Sequence, residues 1–329
     1  MEEKIEKELK WAVLGTGVIA NEMAQALEKM EKKLYAVANR THSKTVEFGG
    51  KYGVQKIYDK IEDMFSDHET DIIYITTPHN THIKFMIEAL KNGKHVLCEK
   101  SITLNSEELE EAVKIAKEKN LILGEAMTIF NMPLYTELLE IVNSGKLGDV
   151  RMIQVNFGSY KEYDMSNRFF NRNLAGGALL DIGVYSISIT RLFMLSKPDN
   201  VLSQVKYAPT GVDEQVGIIM MNKEQQMSTI ALTLHSKQPK RVVIACEKAY
   251  IEITEYPRAD KAKIVYTETG EVEEIIAGMT ANALQYELQN MEESVRTGIN
   301  KMKLEYTIDV MDIMTKLRKE WGMTYPEEE

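Results

Sequence analysis

The chain has 329 residues, more than one hydrophobic core usually serves, so its length points to two domains. With 50 acidic against 40 basic residues its formal charge is -10, which argues against nucleic acid as a ligand, because a phosphate backbone is met by a basic face. The run Met1 to Lys10 mixes acidic and basic residues without an apolar centre, no stretch approaches the ~18 apolar residues of a spanning helix, and the only cysteines, Cys98 and Cys246, lack disulfide or metal-ligand spacing. A cytoplasmic protein with no membrane partner and no bound metal is expected.

The first apolar run, Trp11 to Leu14, predicts a strand and leads into Gly15-Thr16-Gly17-Val18-Ile19-Ala20, the G-x-G-x-x-A form of a dinucleotide-binding turn. Gly15 permits the tight turn, Gly17 lets backbone approach a pyrophosphate, and Ala20 keeps the next helix close to the sheet. That helix is predicted over Ile19 to Met30, and its N-terminus offers free N–H groups to phosphate.

A second strand, Leu34 to Ala38, ends in Asn39-Arg40, where an NAD enzyme usually carries a carboxylate for the ribose 2′-hydroxyl. Without that carboxylate a 2′-phosphate is not repelled, and Arg40 pairs with it while Ser43, Lys44 and the helix over Ser43 to Tyr52 assist. NADP is therefore expected, with NAD as the alternative if Arg40 only stacks on adenine.

Further strands at Ile72 to Ile75, His95 to Leu97 and Leu121 to Leu123 alternate with helices at Thr81 to Leu90 and Ser106 to Lys117, a βαβ series that predicts a parallel sheet. Ligands in such sheets lie beyond the strand ends. There stand the segment Thr76 to His82, containing Thr77, Pro78, Asn80 and His82, and Cys98-Glu99-Lys100-Ser101. From composition alone Glu99 and Lys100 would be a solvated pair.

Beyond Ala126 the texture changes, which predicts a boundary between a dinucleotide-binding domain, 1–126, and a substrate-binding and oligomerisation domain, 127–329. A helix over Leu134 to Val142 is followed by strands at Arg151 to Phe157, Val201 to Tyr207, Val216 to Met221, Met227 to Leu234, Arg241 to Cys246, Ala249 to Ile253 and Lys263 to Thr267. Their short turns predict a large, open, mostly antiparallel sheet in an α+β domain. Two helices, Ala281 to Arg296 and Thr307 to Trp321, close the chain. Within the sheet Ile218, Met220, Ile230 and Leu232 alternate with their neighbours. If helices cover one side only, these residues mark an outer face suited to homodimerisation; otherwise they face the domain's own core.

Between the first two of those strands lies Gly176 to Tyr185, where Asp181 and Tyr185 are four apart in a helix-like stretch and so project from one face. With the glycine turn, the Thr76 to His82 segment and Glu99-Lys100-Ser101, this stretch resembles the glucose-fructose oxidoreductase and inositol dehydrogenase family, Gfo/Idh/MocA. The resemblance spans nearly the whole chain, and the tyrosine of the Asp-x-Gly-x-Tyr segment is similar to that of its dimeric dihydrodiol dehydrogenase and NADP-dependent xylose dehydrogenase branch.

The resemblance implies that Glu99-Lys100 is the family's Glu-Lys-Pro motif, with Glu99 near the nicotinamide ribose and Lys100 in the catalytic centre; Ser101 departs from the usual proline. It also implies that Asn80 and His82 lie along the ribose and nicotinamide. Lys100 and Tyr185 would form an acid-base pair, the ammonium lowering the tyrosine pKa, with Asp181 orienting lysine or substrate. Phe130 stands where the dihydrodiol-type enzymes carry an arginine, so their substrate is not carried over. Arg168, with Phe169, Asn171 and Arg172, offers alternative pocket walls.

The expected activity is hydride transfer between nicotinamide and a CH–OH or C=O carbon of a sugar, polyol or similar small hydroxylated compound. Two other readings remain open: a cofactor-bound regulatory or scaffold protein without turnover, and an NAD-dependent glycosidase, against which Ala178-Leu179 stands where Gly-Gly-His-Gly is usual.

Overall fold

The computed structural model describes residues 8–329, so most of the charged run read at Met1 to Lys10 lies outside the described residues. The first half of the chain runs β1 (Trp11–Leu14), α1 (Val18–Lys29), β2 (Ala36–Ala38), α2 (His42–Tyr52), β3 (Lys56–Tyr58), α3 (Ile61–Ser66), β4 (Ile72–Ile75), α4 (His82–Lys91), β5 (His95–Glu99), α5 (Ser106–Glu118) and β6 (Leu123–Ala126). The six strands form one parallel sheet in the order β3-β2-β1-β4-β5-β6. Helices cover both faces, which is why β1 and β4 are continuous apolar runs with every residue buried. The order reverses between β1 and β4, so the ends of these strands open the crevice in which doubly wound folds hold a ligand.

The chain continues through α6 (Thr128–Asn131), α7 (Pro133–Asn143), β7 (Val150–Gly158), a π-helical turn over Leu179–Gly183, and α8 (Val184–Phe193). Then come β8 (Asn200–Tyr207), β9 (Asp213–Met221), β10 (Met227–Thr233), β11 (Gln238–Cys246), β12 (Ala249–Thr254), β13 (Lys261–Tyr266), β14 (Val272–Ile276), α9 (Ala283–Thr297) and α10 (Leu304–Glu320). The eight strands form a second sheet, β14-β13-β12-β11-β7-β10-β9-β8. Every neighbouring pair is antiparallel except β7 and β10, so the expectation of a mostly antiparallel sheet holds.

One face of that sheet is packed beneath helices. Ile218, Met220, Ile230 and Leu232, read as a self-association face, are at most 3% exposed and belong to the core, so that assignment is corrected. The same alternation that exposes one set of residues buries the other, and the helices lie on the side of these four. The open face instead carries Met152, Leu202, Ile219, Met227 and Tyr250.

The two halves are not packed independently. Leu284, Leu288 and Met291 of α9 share a core with Trp11, Val13 and Tyr74 of the first sheet, and Trp11 Nε1 donates to Glu292 at 3.0 Å. No helix among the described residues is long and apolar enough to cross a membrane.

Candidate active site

The turn after β1 is built for close backbone approach. Gly15 has φ +113°, and a Cβ there would lie 2.4 Å from Thr76 Oγ1 at the end of β4. Its N–H donates to Ala38 O at 2.9 Å, which ties the turn to the end of β2. Gly17 differs: its φ is -77°, and a Cβ would meet nothing within 4 Å. It precedes α1, whose N-terminus has no side-chain cap and no acidic residue in its first turn. The N–H groups of Val18 and Ile19 are thus open to an anion, and Ala20 is fully buried against the sheet. These features fit a dinucleotide pyrophosphate.

Asn39 Nδ2 donates to Thr16 Oγ1 at 3.0 Å, so Asn39 braces the glycine turn. Arg40, Ser43 and Lys44 are exposed around the start of α2, which likewise lacks a side-chain cap and an acid in its first turn.

The segments after β4 and β5 meet. Thr81 Oγ1 donates to Thr77 Oγ1 at 2.8 Å beside the exposed Pro78, and Asn80 Nδ2 donates to Glu327 Oε1 at 2.5 Å, a residue from the far end of the chain. His82 does not face the cleft. Its ring is fully buried, with Nε2 2.7 Å from Thr77 O and Nδ1 3.0 Å from Ser101 O, so it holds the two segments together rather than lying along a nicotinamide. Burial presses it toward the neutral form, in which only one of the two nitrogens donates. His79, in the same segment but not singled out from the sequence, places Nε2 3.0 Å from Lys100 O. Glu99 accepts a short hydrogen bond from Tyr74 Oη, and burial raises its pKa. The Lys100–Ser101 peptide is cis, and Ser101 Oγ donates to Leu180 O at 3.0 Å.

Lys100 is the residue at which the halves converge. Its Nζ donates to Asp181 O at 2.6 Å, lies 3.3 Å from Asp181 Oδ1, and sits 4.9 Å from the centroid of the Tyr185 ring. Asp181 lies in the π-helical turn and Tyr185 in α8, so the regular helical spacing expected between them is widened, as π turns often do at functional sites. The turn is pinned by Asp213, whose Oδ2 accepts the Leu179 N–H at 2.6 Å.

Burial alone would discharge Lys100, but Asp181 and Tyr185 outweigh it and hold the ammonium pKa above the ordinary lysine value. Burial would likewise raise Asp181, yet Lys100 and Arg168 outweigh it and keep the carboxylate ionised. For Tyr185 the balance is opposite to the one expected from sequence. Desolvation raises its pKa more than Lys100 lowers it, so the phenol is protonated at neutral pH.

Two substrate-wall assignments divide. Arg168 reaches the site, with Nη2 3.6 Å from Asp181 Oδ1. Phe130 is 5% exposed and packs on Tyr306 of α10 at 5.8 Å between ring centroids, so it is a core residue and not a pocket wall. Asn171 and Arg172 serve their own loop and the end of the chain: Asn171 accepts the Asn173 N–H at 2.9 Å, and Arg172 Nε donates to Thr324 O at 2.8 Å.

Residues 9–127 match the family model of the oxidoreductase family with an NAD-binding Rossmann fold, and residues 135–252 match the GFO/IDH/MocA C-terminal domain. The chain belongs to the Gfo/Idh/MocA family. It is an NAD(P)-dependent oxidoreductase.

The relatives of this Gfo/Idh/MocA protein include trans-1,2-dihydrobenzene-1,2-diol dehydrogenases. That of Xenopus laevis is 28% identical over 96% of this chain and 99% of its own length, and that of Homo sapiens 27% over 97% and 99%. Among solved structures, a 3-ketoreductase from Actinomadura kijaniata in complex with NADP and TDP-benzene is similar with a TM-score of 0.85 at 18% identity, covering 95% of this chain and 98% of that one. Levoglucosan dehydrogenase in complex with NADH and L-sorbose gives 0.84 at 16%, covering 94% and 96%.

Proposed function

We propose that the protein is an NADP-dependent dehydrogenase or reductase acting at a CH–OH or C=O carbon of a sugar, polyol or similar small hydroxylated compound. The observation that carries this reading is the meeting of Lys100, from the end of β5, with Asp181 and Tyr185 of the second half, at 3.3 Å from Asp181 Oδ1 and 4.9 Å from the Tyr185 ring. A charged lysine beside a protonated tyrosine can give a proton to a substrate oxygen and take it back.

When bound, the nicotinamide supplies or accepts the hydride. In the reducing direction Tyr185 gives its phenolic proton to the carbonyl oxygen of the substrate, and the Lys100 ammonium stabilises the phenolate left behind. In oxidation the phenolate takes the hydroxyl proton back. Asp181 holds Lys100 in place and charged, and Glu99, beside it on β5, would lie toward the ribose of a bound dinucleotide. Trans-1,2-dihydrobenzene-1,2-diol dehydrogenases and levoglucosan dehydrogenase are named for hydroxylated substrates, which supports the substrate class.

The preference for NADP rests on Asn39 and the exposed Arg40, Ser43 and Lys44, since the similar structures contain NADP in one case and NADH in the other. The division of labour follows the boundary after Ala126, with 1–126 holding cofactor and 127–329 holding substrate. We assign homodimerisation to the open face of the second sheet and a cytoplasmic setting, which the two free cysteines favour.

Steady-state assays with NADP over a panel of sugars and polyols test the proposal. Lys100→Met should lower kcat by about 10²- to 10⁴-fold while NADPH binding, followed by fluorescence, is largely kept. Normal turnover in that variant would remove the acid-base assignment. Cofactor binding without turnover across the panel would point to a scaffold protein instead.

A further inference from the structure

The segment between β7 and the glycine pair brings additional cations to the second-half side of the Lys100–Asp181 pair. Lys161 is half-buried, and its N–H donates to Leu234 O at 2.8 Å, extending the pairing of β7 with β10. Its Nζ lies 4.2 Å from the centroid of Phe169, and Arg168 Cζ lies 4.3 Å from the same ring. Lys240 Nζ lies 5.3 Å from the centroid of Phe157, whose ring is 6.1 Å from that of Tyr185.

Few carboxylates balance this charge. Asp181 is already shared between Lys100 and Arg168, Lys240 pairs with Glu255, whose side chain is 69% exposed, and Lys161 makes no ion pair among the described residues. Burial, together with the charges of Arg168, Lys100 and Lys240, presses the Lys161 ammonium toward neutrality, with Asp181 opposing. Lysines of an ordinary solvated surface spread into water. Here two cations lie against one aromatic ring and a third lies over another, near Asp181 and Tyr185, in a chain whose formal charge is -10. Such a local excess raises the concentration of anions in the cleft and lowers its own repulsion when one binds. The dinucleotide phosphates belong at the start of α1 in the first half, whereas Lys161, Arg168 and Lys240 all come from the second.

We infer that the substrate carries an anionic group, a carboxylate or a phosphate, held by Lys161, Arg168 and Lys240 while its reacting carbon faces Lys100 and Tyr185. The place of the reacting carbon rests on the oxidoreductase proposal; the anion site rests only on the three cations.

Calorimetry on the protein loaded with NADP compares D-sorbitol, D-gluconate and D-sorbitol 6-phosphate. One of the two anions is expected to bind at least about tenfold more tightly than sorbitol, and which one does so identifies carboxylate or phosphate. Lys161→Met and Arg168→Gln should each lower that preference by about three- to tenfold, and Lys161→Arg should keep it. Failure of both anions to outbind sorbitol, or equal losses for all three ligands in the variants, overturns the inference. Turnover of the same compounds is read separately. Anion-selective binding without turnover would keep the anion site and remove the oxidoreductase proposal, while turnover without anion preference would do the reverse.

Discussion

Asp213 is a buried carboxylate with one oxygen on the Leu179 N–H and the other, Oδ1, without a hydrogen-bond partner. Gly177 makes room for it, since a Cβ there would lie 2.1 Å from that oxygen. Desolvation raises its pKa from 3.8 to about 7. The folded protein therefore keeps a proton that the unfolded chain has released, and stability falls as pH rises from about 4 to about 7. Asp213→Asn keeps the acceptor for Leu179 and removes the titration. It should match the parent below pH ~4 and exceed it by about 4 kcal/mol above pH ~7, read from urea midpoints at several pH values. A pH-independent difference would show that Asp213 does not carry this penalty. Arg40 makes the other residue-scale prediction. Arg40→Ala should weaken NADPH by about tenfold and NADH by about twofold or less, measured by fluorescence titration, because only the 2′-phosphate adds a charge-assisted bond. Equal losses would leave Arg40 a stacking role alone.

At the scale of elements, the turn between β1 and α1 separates folding from binding within three residues. Gly15→Ala places a side chain at φ +113° and against Thr76, so it should cost about 2 kcal/mol or more of stability, seen in thermal unfolding. At Gly17 a Cβ would meet nothing within 4 Å, so the stability of Gly17→Val should stay within about 1 kcal/mol, while its side chain would fill the proposed pyrophosphate space and weaken the cofactor at least about tenfold. Unchanged cofactor affinity in Gly17→Val would move the phosphates elsewhere. The central strands were legible because burial on both faces makes them apolar runs. The edge strands β3 and β14 were not, since Lys56-Ile57-Tyr58 and Val272-Glu273-Glu274-Ile275-Ile276 are short and partly solvated. Strand β6 runs to Ala126, beyond the apolar run Leu121 to Leu123, because pairing with β5 carries the buried Glu125 into the sheet. There burial lifts Glu125 to a pKa of about 7 while it accepts from Ile102 N at 3.1 Å and Thr307 Oγ1 at 3.0 Å.

Across the whole molecule, strand register assembles a surface that no single strand displays. Met221, Met227, Met152, Ala245, Tyr250, Val265 and Val272 are opposite one another in successive strands from β9 to β14, forming one apolar row on the open face. None of them is fully buried. A second copy of the chain laid on this row would cover it by a two-fold axis, as closed dimers do. Met152→Lys, within the row, should shift the protein to monomer in sedimentation velocity at micromolar concentration without lowering its thermal stability by more than about 1 kcal/mol. A parent protein that sediments as a monomer would end the proposal.

The sequence by itself determined the plan of one parallel and one mostly antiparallel sheet and the glycine turn after the first strand, because hydrophobic periodicity and small residues at fixed spacing are local consequences of strand, helix and phosphate geometry. It also marked Lys100, Asp181 and Tyr185, through the resemblance of their segments to motifs of the Gfo/Idh/MocA family. Only the tertiary structure decided which face of the second sheet is open, that His82 and Phe130 are buried, that Tyr185 keeps its proton, and that Lys161 and Lys240 join Arg168 near Asp181 and Tyr185. Each of these depends on what packs against a side chain from a distant part of the chain, since desolvation and charge balance are set by neighbours in space and not by neighbours in sequence.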